Sequence, residues 1–192
     1  MNSLSLRQSL LVILFAVLIM LTRGQHFASF NLLPDASWSV FMLIGFYLSR
    51  YQWLFVFTLF TVLLDFVSIY WGGASSYCIS PAYLLLLPSY FCLWFAGKWY
   101  RKRLSSNWQT LFPLVGSATI ATLLATIFSS GGFYLFSGRY PAPDTSGFIT
   151  SILRYFPAYL ENAALYLLLA ASVHIVLNLM LSARKTTKIS QQ

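Results

Sequence analysis

DFVSIYWGGASSYCISPAY, from Asp65 to Tyr83, holds the end of an apolar helix, a loop and the start of another helix. It opens with a carboxylate inside an apolar run and passes through Tyr70 and Trp71 into a Gly-Gly loop that presents one cysteine, Cys78. Ser80-Pro81 follows, pairing an N-cap serine with a proline at the first helical position. Cys78 is therefore expected just ahead of a helix N-terminus, where free N–H groups and the positive dipole end favour thiolate over thiol.

Around this stretch the chain is too apolar to be covered by water. Of its 192 residues, 58% are hydrophobic and 8% charged, and the mean hydropathy is +0.71. A polytopic membrane protein is the reading such a composition supports. The acids number four, Asp35, Asp65, Asp144 and Glu161, so each carries weight. The net charge of +8 does not point to nucleic acid, because the basic residues form no stripe interleaved with stacking aromatics. Two cysteines without a CxxC pattern and two histidines are too few for a disulfide framework or most protein-only metal cages.

Six apolar runs are expected to form an all-α, six-transmembrane-helix bundle in one domain, at about residues 9–22, 36–48, 53–71, 81–97, 108–128 and 157–181. A polar tail, 182–192, follows. The first run is read as a retained helix and not a signal peptide, since Arg23-Gly24-Gln25-His26 offers no small-x-small cleavage site. Arg23 is expected to snorkel and lengthen it. Pro88 predicts a kink in the fourth span. Nine basic residues (Arg7, Arg50, Lys98, Arg101, Lys102, Arg103, Arg184, Lys185, Lys188) fall on one side and three (Arg23, Arg139, Arg154) on the other. Both termini are then cytoplasmic by the positive-inside rule. Trp38 and Trp71 on the outer side, with Trp53, Trp94, Trp99 and Trp108 on the inner, fit interfacial belts. The loops after spans one, three and five emerge outside, the last being a long Gly- and Pro-containing segment from Ser129 to Phe156.

Asp65 lies fifteen residues beyond Arg50, about 22 Å along the third helix. An ionisable group at that depth marks a cavity or a partner; the plainer alternative is an Arg-paired lock between helices. Cys78 has two chemical readings besides that of a small hydrophobe. As a nucleophile it needs a base, and His26 on a neighbouring outer loop is the candidate. As a metal ligand it suits a metal that arrives inside an organic macrocycle and needs one axial donor. Tyr83 can donate a hydrogen bond into whatever the loop holds, and Arg154 can meet an acidic or amide-rich ligand or snorkel. Cys92 and His174 read as structural. Glu161, soon after Pro157, reads as a first-turn carboxylate favoured by the helix dipole. No phosphate-binding loop, G-x-S-x-G or H-E-x-x-H motif is present, so this chain has no ATP site of its own.

With these residues in view, the chain resembles the substrate-binding S-components of energy-coupling factor (ECF) transporters, and most closely the BtuM-like cobalamin transporters. The resemblance rests on TRGQHF (Thr22 to Phe27), LPDASW (Leu33 to Trp38) and WGGASSYCISPAY (Trp71 to Tyr83). It implies multi-pass uptake of cobalamin across a bacterial inner membrane, with the corrinoid held in an outward-facing cavity of a six-helix bundle. It implies that Cys78 is the axial ligand to cobalt and that His26, Asp65, Tyr83 and Arg154 surround the site. Removal of the upper axial ligand is a possible secondary activity; the chain is otherwise a transporter and not an enzyme. The first helix, SLLVILFAVLIMLT, lacks the small-xxx-small stripe on which a shared ATPase module docks, as in the solitary members. The readings that remain beside it are a membrane thiol enzyme using Cys78 and His26, an S-component for another vitamin, and an assembly subunit without a ligand.

Overall fold

The structure, a computed structural model, describes residues 5–23, 33–72, 75–105 and 108–189, without the side chains of 78, 178, 179 and 181–189. Among the described residues every regular element is helical. The order is α1 (Leu6–Arg23), α2 (Ser37–Tyr47), α3 (Tyr51–Tyr70), a 3-10 turn (Ser76–Cys78), a 3-10 segment (Pro81–Leu85) running into α4 (Leu86–Arg101), α5 (Leu111–Thr126), a π turn (Ile127–Gly131) running into α6 (Gly132–Phe136), and α7 (Thr145–Ile189). Four rods, Leu6–Arg23, Tyr51–Tyr70, Trp108–Phe136 and Thr145–Leu177, are long and apolar enough to cross a membrane.

The core is built round α2, whose residues from Ser37 to Gly45 are all buried. A helix apolar on every side needs neighbours on every side. α4 supplies the tightest of them. A Cβ on Gly45 would lie 1.9 Å from the Trp94 carbonyl oxygen, and one on Gly97 would lie 1.8 Å from that of Met42. Two glycines facing each other's helix thus let the backbones touch. Phe41 and Tyr90 stack across this contact at 3.9 Å between ring centroids. α1 buries only Phe15, Ile19 and Thr22, a single stripe at spacings of four and three. Its other face, with Leu10, Ile13, Leu14 and Val17, is exposed, as is the Phe55, Leu59 and Leu63 face of α3. Large apolar side chains pointing outward on several rods are what lipid contact requires. The small residues Ala121 and Ala125 of α5 are buried, and Ser89 of α4 donates to the Ala125 carbonyl at 3.2 Å, so that stripe serves packing within the bundle.

Several expectations need correction. The segment from Ser129 to Phe156 is not one long loop: α5 continues through the π turn to Phe136, α7 starts at Thr145, and the break shrinks to Ser137 through Asp144. Asp144 caps α7, its carboxylate accepting the Gly147 N–H at 3.0 Å and the Tyr134 hydroxyl at 2.8 Å. Those bonds, the Tyr134 one first, hold its carboxyl below the usual range. Pro157 is therefore inside α7, and Glu161 is sixteen residues past its start, not in its first turn. α7 extends to Ile189, so the polar segment from 182 begins as helix. Pro88 falls in the first turn of α4, just after the 3-10 segment Pro81–Leu85, where a missing N–H costs little. Trp38 and Trp94 are core residues at 8% and 5% exposure, while Trp71 and Trp108 remain outward.

Candidate functional site

The site grows from the end of α1. Thr22 accepts the Ala36 N–H on its hydroxyl at 3.1 Å, drawing the start of α2 against α1. Asp35 accepts the backbone N–H of Ser37 at 2.8 Å and its hydroxyl at 2.6 Å. Tyr166 of α7 donates to the Pro34 carbonyl at 2.6 Å. These bonds fix the entry to α2 and with it two of the partners of Arg23.

Arg23 turns inward and does not snorkel. Its Nε donates to Asp65 Oδ1 and its Nη2 to Asp65 Oδ2, each at 2.7 Å, the two-pronged geometry that a planar guanidinium and a carboxylate favour. Nη1 donates to Ser37 Oγ at 3.0 Å and lies 3.7 Å from Asp35 Oδ2. The Tyr83 hydroxyl donates to Asp65 Oδ2 at 2.6 Å. Asp65 is thus the hub that ties α1 and α3 to the segment leading into α4. Two carboxylates face one guanidinium, so the cluster carries a formal charge of −1.

The cluster lies on the wall of a cavity of about 620 Å³ that also takes in Trp38, Tyr77, Ile79 and Ser130. This volume is in the range of small-molecule sites. Trp38 stacks on Tyr159 at 4.3 Å, giving one side a flat aromatic face. The π turn brings Ser129 and Ser130 to the wall, in keeping with the habit of π turns to occur at functional sites. Beside the cavity, Arg139 sits 4.7 Å from the Tyr77 ring centroid and donates to the Tyr77 carbonyl at 3.3 Å. The turn between α6 and α7 is thereby clasped to the 3-10 turn that ends in Cys78.

Of the residues singled out in the sequence, Asp65 and Tyr83 are joined in one network and both line the cavity. Cys78 closes the Ser76–Cys78 turn; its side chain is outside the description, but its chain neighbours Tyr77 and Ile79 both line the cavity. Ser80 has the extended backbone of an N-cap with Pro81 next, yet its buried hydroxyl has no partner among the described residues. His26 lies outside the described residues. Arg154 is not on the cavity wall: it is exposed, with its guanidinium 5.9 Å from the Tyr155 ring. His174 is at the other end of the bundle, its Nδ1 3.1 Å from the Tyr47 hydroxyl.

Arg23, Asp35 and Ser37 are the members of the cluster not foreseen as site residues. Their signal was available: an arginine at the end of one apolar run and two acids in a chain with four. No family model matches this chain, and no curated protein matches its sequence.

Proposed function

We propose that this chain takes up cobalamin, or a related corrinoid, across a bacterial inner membrane as a BtuM-like relative of the ECF S-components. In this reading it is a six-span bundle with both termini cytoplasmic, and it holds the corrinoid in the cavity beside Asp65 with the Cys78 sulfur bonded to cobalt. The observation that carries the reading is that the residues on either side of Cys78 line the same cavity as Asp65 and Tyr83. A soft thiolate suits a metal whose four equatorial positions are already filled by nitrogen. The cluster's surplus negative charge favours a cationic centre, and the Trp38 and Tyr159 faces suit a flat ring.

In this reading loading opens the Arg139–Tyr77 clasp, which ties the turn between α6 and α7 to the turn that ends in Cys78. Electron donation from sulfur weakens the opposite axial bond, so a bound cyanide would leave with its bonding pair and no change in cobalt oxidation state. The outward face of α1 carries bulky side chains and offers no close seat for a shared ATPase module. The reading is tested by growth of a cobalamin-dependent host that lacks its own transporter. The chain should restore growth at low cobalamin and Cys78→Ala should not; equal growth with both would remove Cys78 from the mechanism.

A further inference from the structure

A second cavity, of about 710 Å³, lies at the opposite end of the bundle, between α2, α4, the start of α5 and α7. Phe46, Leu114, Leu167 and Ala171 give it an apolar wall. Four of its polar side chains pair with one another: the Tyr47 hydroxyl is 3.1 Å from His174 Nδ1, and Tyr100 bonds to Thr110. A wall whose polar groups already have partners favours an apolar occupant.

The mouth of this cavity is basic. Leu104 and Ser105 line it, and directly before them Arg101, Lys102 and Arg103 are all exposed. The chain's acids cannot neutralise them. Asp35 and Asp65 face Arg23 in the other cavity, and Asp144 caps the far end of α7. Glu161 precedes His174 by thirteen residues on α7, about 20 Å along the helix. Among the described residues none of the three basic side chains is in an ion pair. Arg101 donates to Ser49 Oγ at 2.6 Å and Arg103 lies 4.2 Å from the Trp99 ring centroid; both partners are neutral, so the three positive charges remain open to an anion from outside the chain. Trp108, 69% exposed, stands at the same mouth, as aromatics do at headgroup level.

We infer that this groove is a phospholipid site: one acyl chain of an anionic glycerophospholipid fills the cavity, and its phosphate sits against Arg101, Lys102 and Arg103. Basic pockets between membrane helices commonly hold anionic headgroups. The site is independent of the ligand of the outer cavity.

The full chain, placed in nanodiscs of equal phosphatidylglycerol and phosphatidylcholine and released for native mass spectrometry, provides the test. Wild type should retain one phosphatidylglycerol in at least about tenfold preference over phosphatidylcholine, equivalent to 1.4 kcal/mol. The triple change Arg101→Gln, Lys102→Gln, Arg103→Gln should abolish the preference. Ala171→Phe, which fills the groove, should lose the retained lipid of either kind. Wild-type protein that holds both lipids equally or neither, or an Ala171→Phe protein that keeps its lipid, would overturn the inference. Should a variant fail to fold, wild type alone decides: its midpoint of thermal unfolding should rise with added phosphatidylglycerol and not with phosphatidylcholine, and equal shifts would refute the site.

Discussion

Removal of the Asp65 carboxylate is the perturbation whose cost the structure sets most directly. Asp65 accepts two guanidinium bonds at 2.7 Å and one phenol bond at 2.6 Å, while Arg23 and Asp65 side chains are 12% and 22% exposed. Deleting one partner of a buried pair costs about 3–5 kcal/mol. Asp35, 44% exposed and 3.7 Å away, can take over part of the charge, worth about 1 kcal/mol at most for a pair open to solvent. Asp65→Ala should therefore destabilise the fold by about 2–4 kcal/mol. Asp65→Asn keeps one acceptor and should cost less. With Arg23→Ala added to Asp65→Ala, the orphaned cation disappears, so the double variant should be more stable than the sum of the singles by about 2 kcal/mol. Reversible unfolding in mixed micelles, followed by tryptophan fluorescence, gives all the corners of the cycle. An Asp65→Ala protein within about 0.5 kcal/mol of wild type, or a cycle with no coupling, would show that the network does not hold the helices together.

Other outcomes follow from single contacts. Gly97→Val should leave no folded monomer on size exclusion, since even a Cβ would meet the Met42 carbonyl at 1.8 Å; Gly116→Ala, where a Cβ meets nothing within 4 Å, should be neutral or gain about 0.5–1 kcal/mol. Arg139→Ala removes the clasp on Tyr77, so corrinoid association in stopped flow should quicken by about 2–5-fold, from the ~0.5–1 kcal/mol of an exposed cation–π contact; an unchanged rate would mean the clasp does not gate entry. Asp144→Ala should speed hydrogen exchange in the first turn of α7. Because this carboxyl titrates below its unfolded value, the cap contributes fully above about pH 3.9 and is lost as pH falls through the folded value. Protection that stays the same in Asp144→Ala would remove the cap from the account.

The helices of this chain were readable where apolar runs were bounded by charge, as in α1 between Arg7 and Arg23. The start of α7 is obscured in the sequence because Pro157 reads as a helix opening, although Asp144-Thr145-Ser146-Gly147 holds a capping aspartate. The continuation of α5 into α6 was hidden by Ser129-Ser130-Gly131-Gly132, polar and small residues that read as loop. There the two glycines fit close neighbours, Gly131 against the Phe148 ring and Gly132 against Leu85. At the site, Asp65 and Tyr83 stood out by depth and by position beside Cys78. Arg23 does not stand out in the sequence, because arginines at helix ends usually snorkel. Which way it turns depends on Asp65, forty-two residues away, and no local pattern carries that pairing.

Cobalt K-edge X-ray absorption on the purified protein loaded with cobalamin addresses the sulfur–cobalt bond itself. A single sulfur should appear in the first coordination shell of wild type and vanish in Cys78→Ala. A shell of nitrogen and oxygen alone in the wild type, or the same sulfur in Cys78→Ala, would contradict the assignment of Cys78 as the axial ligand.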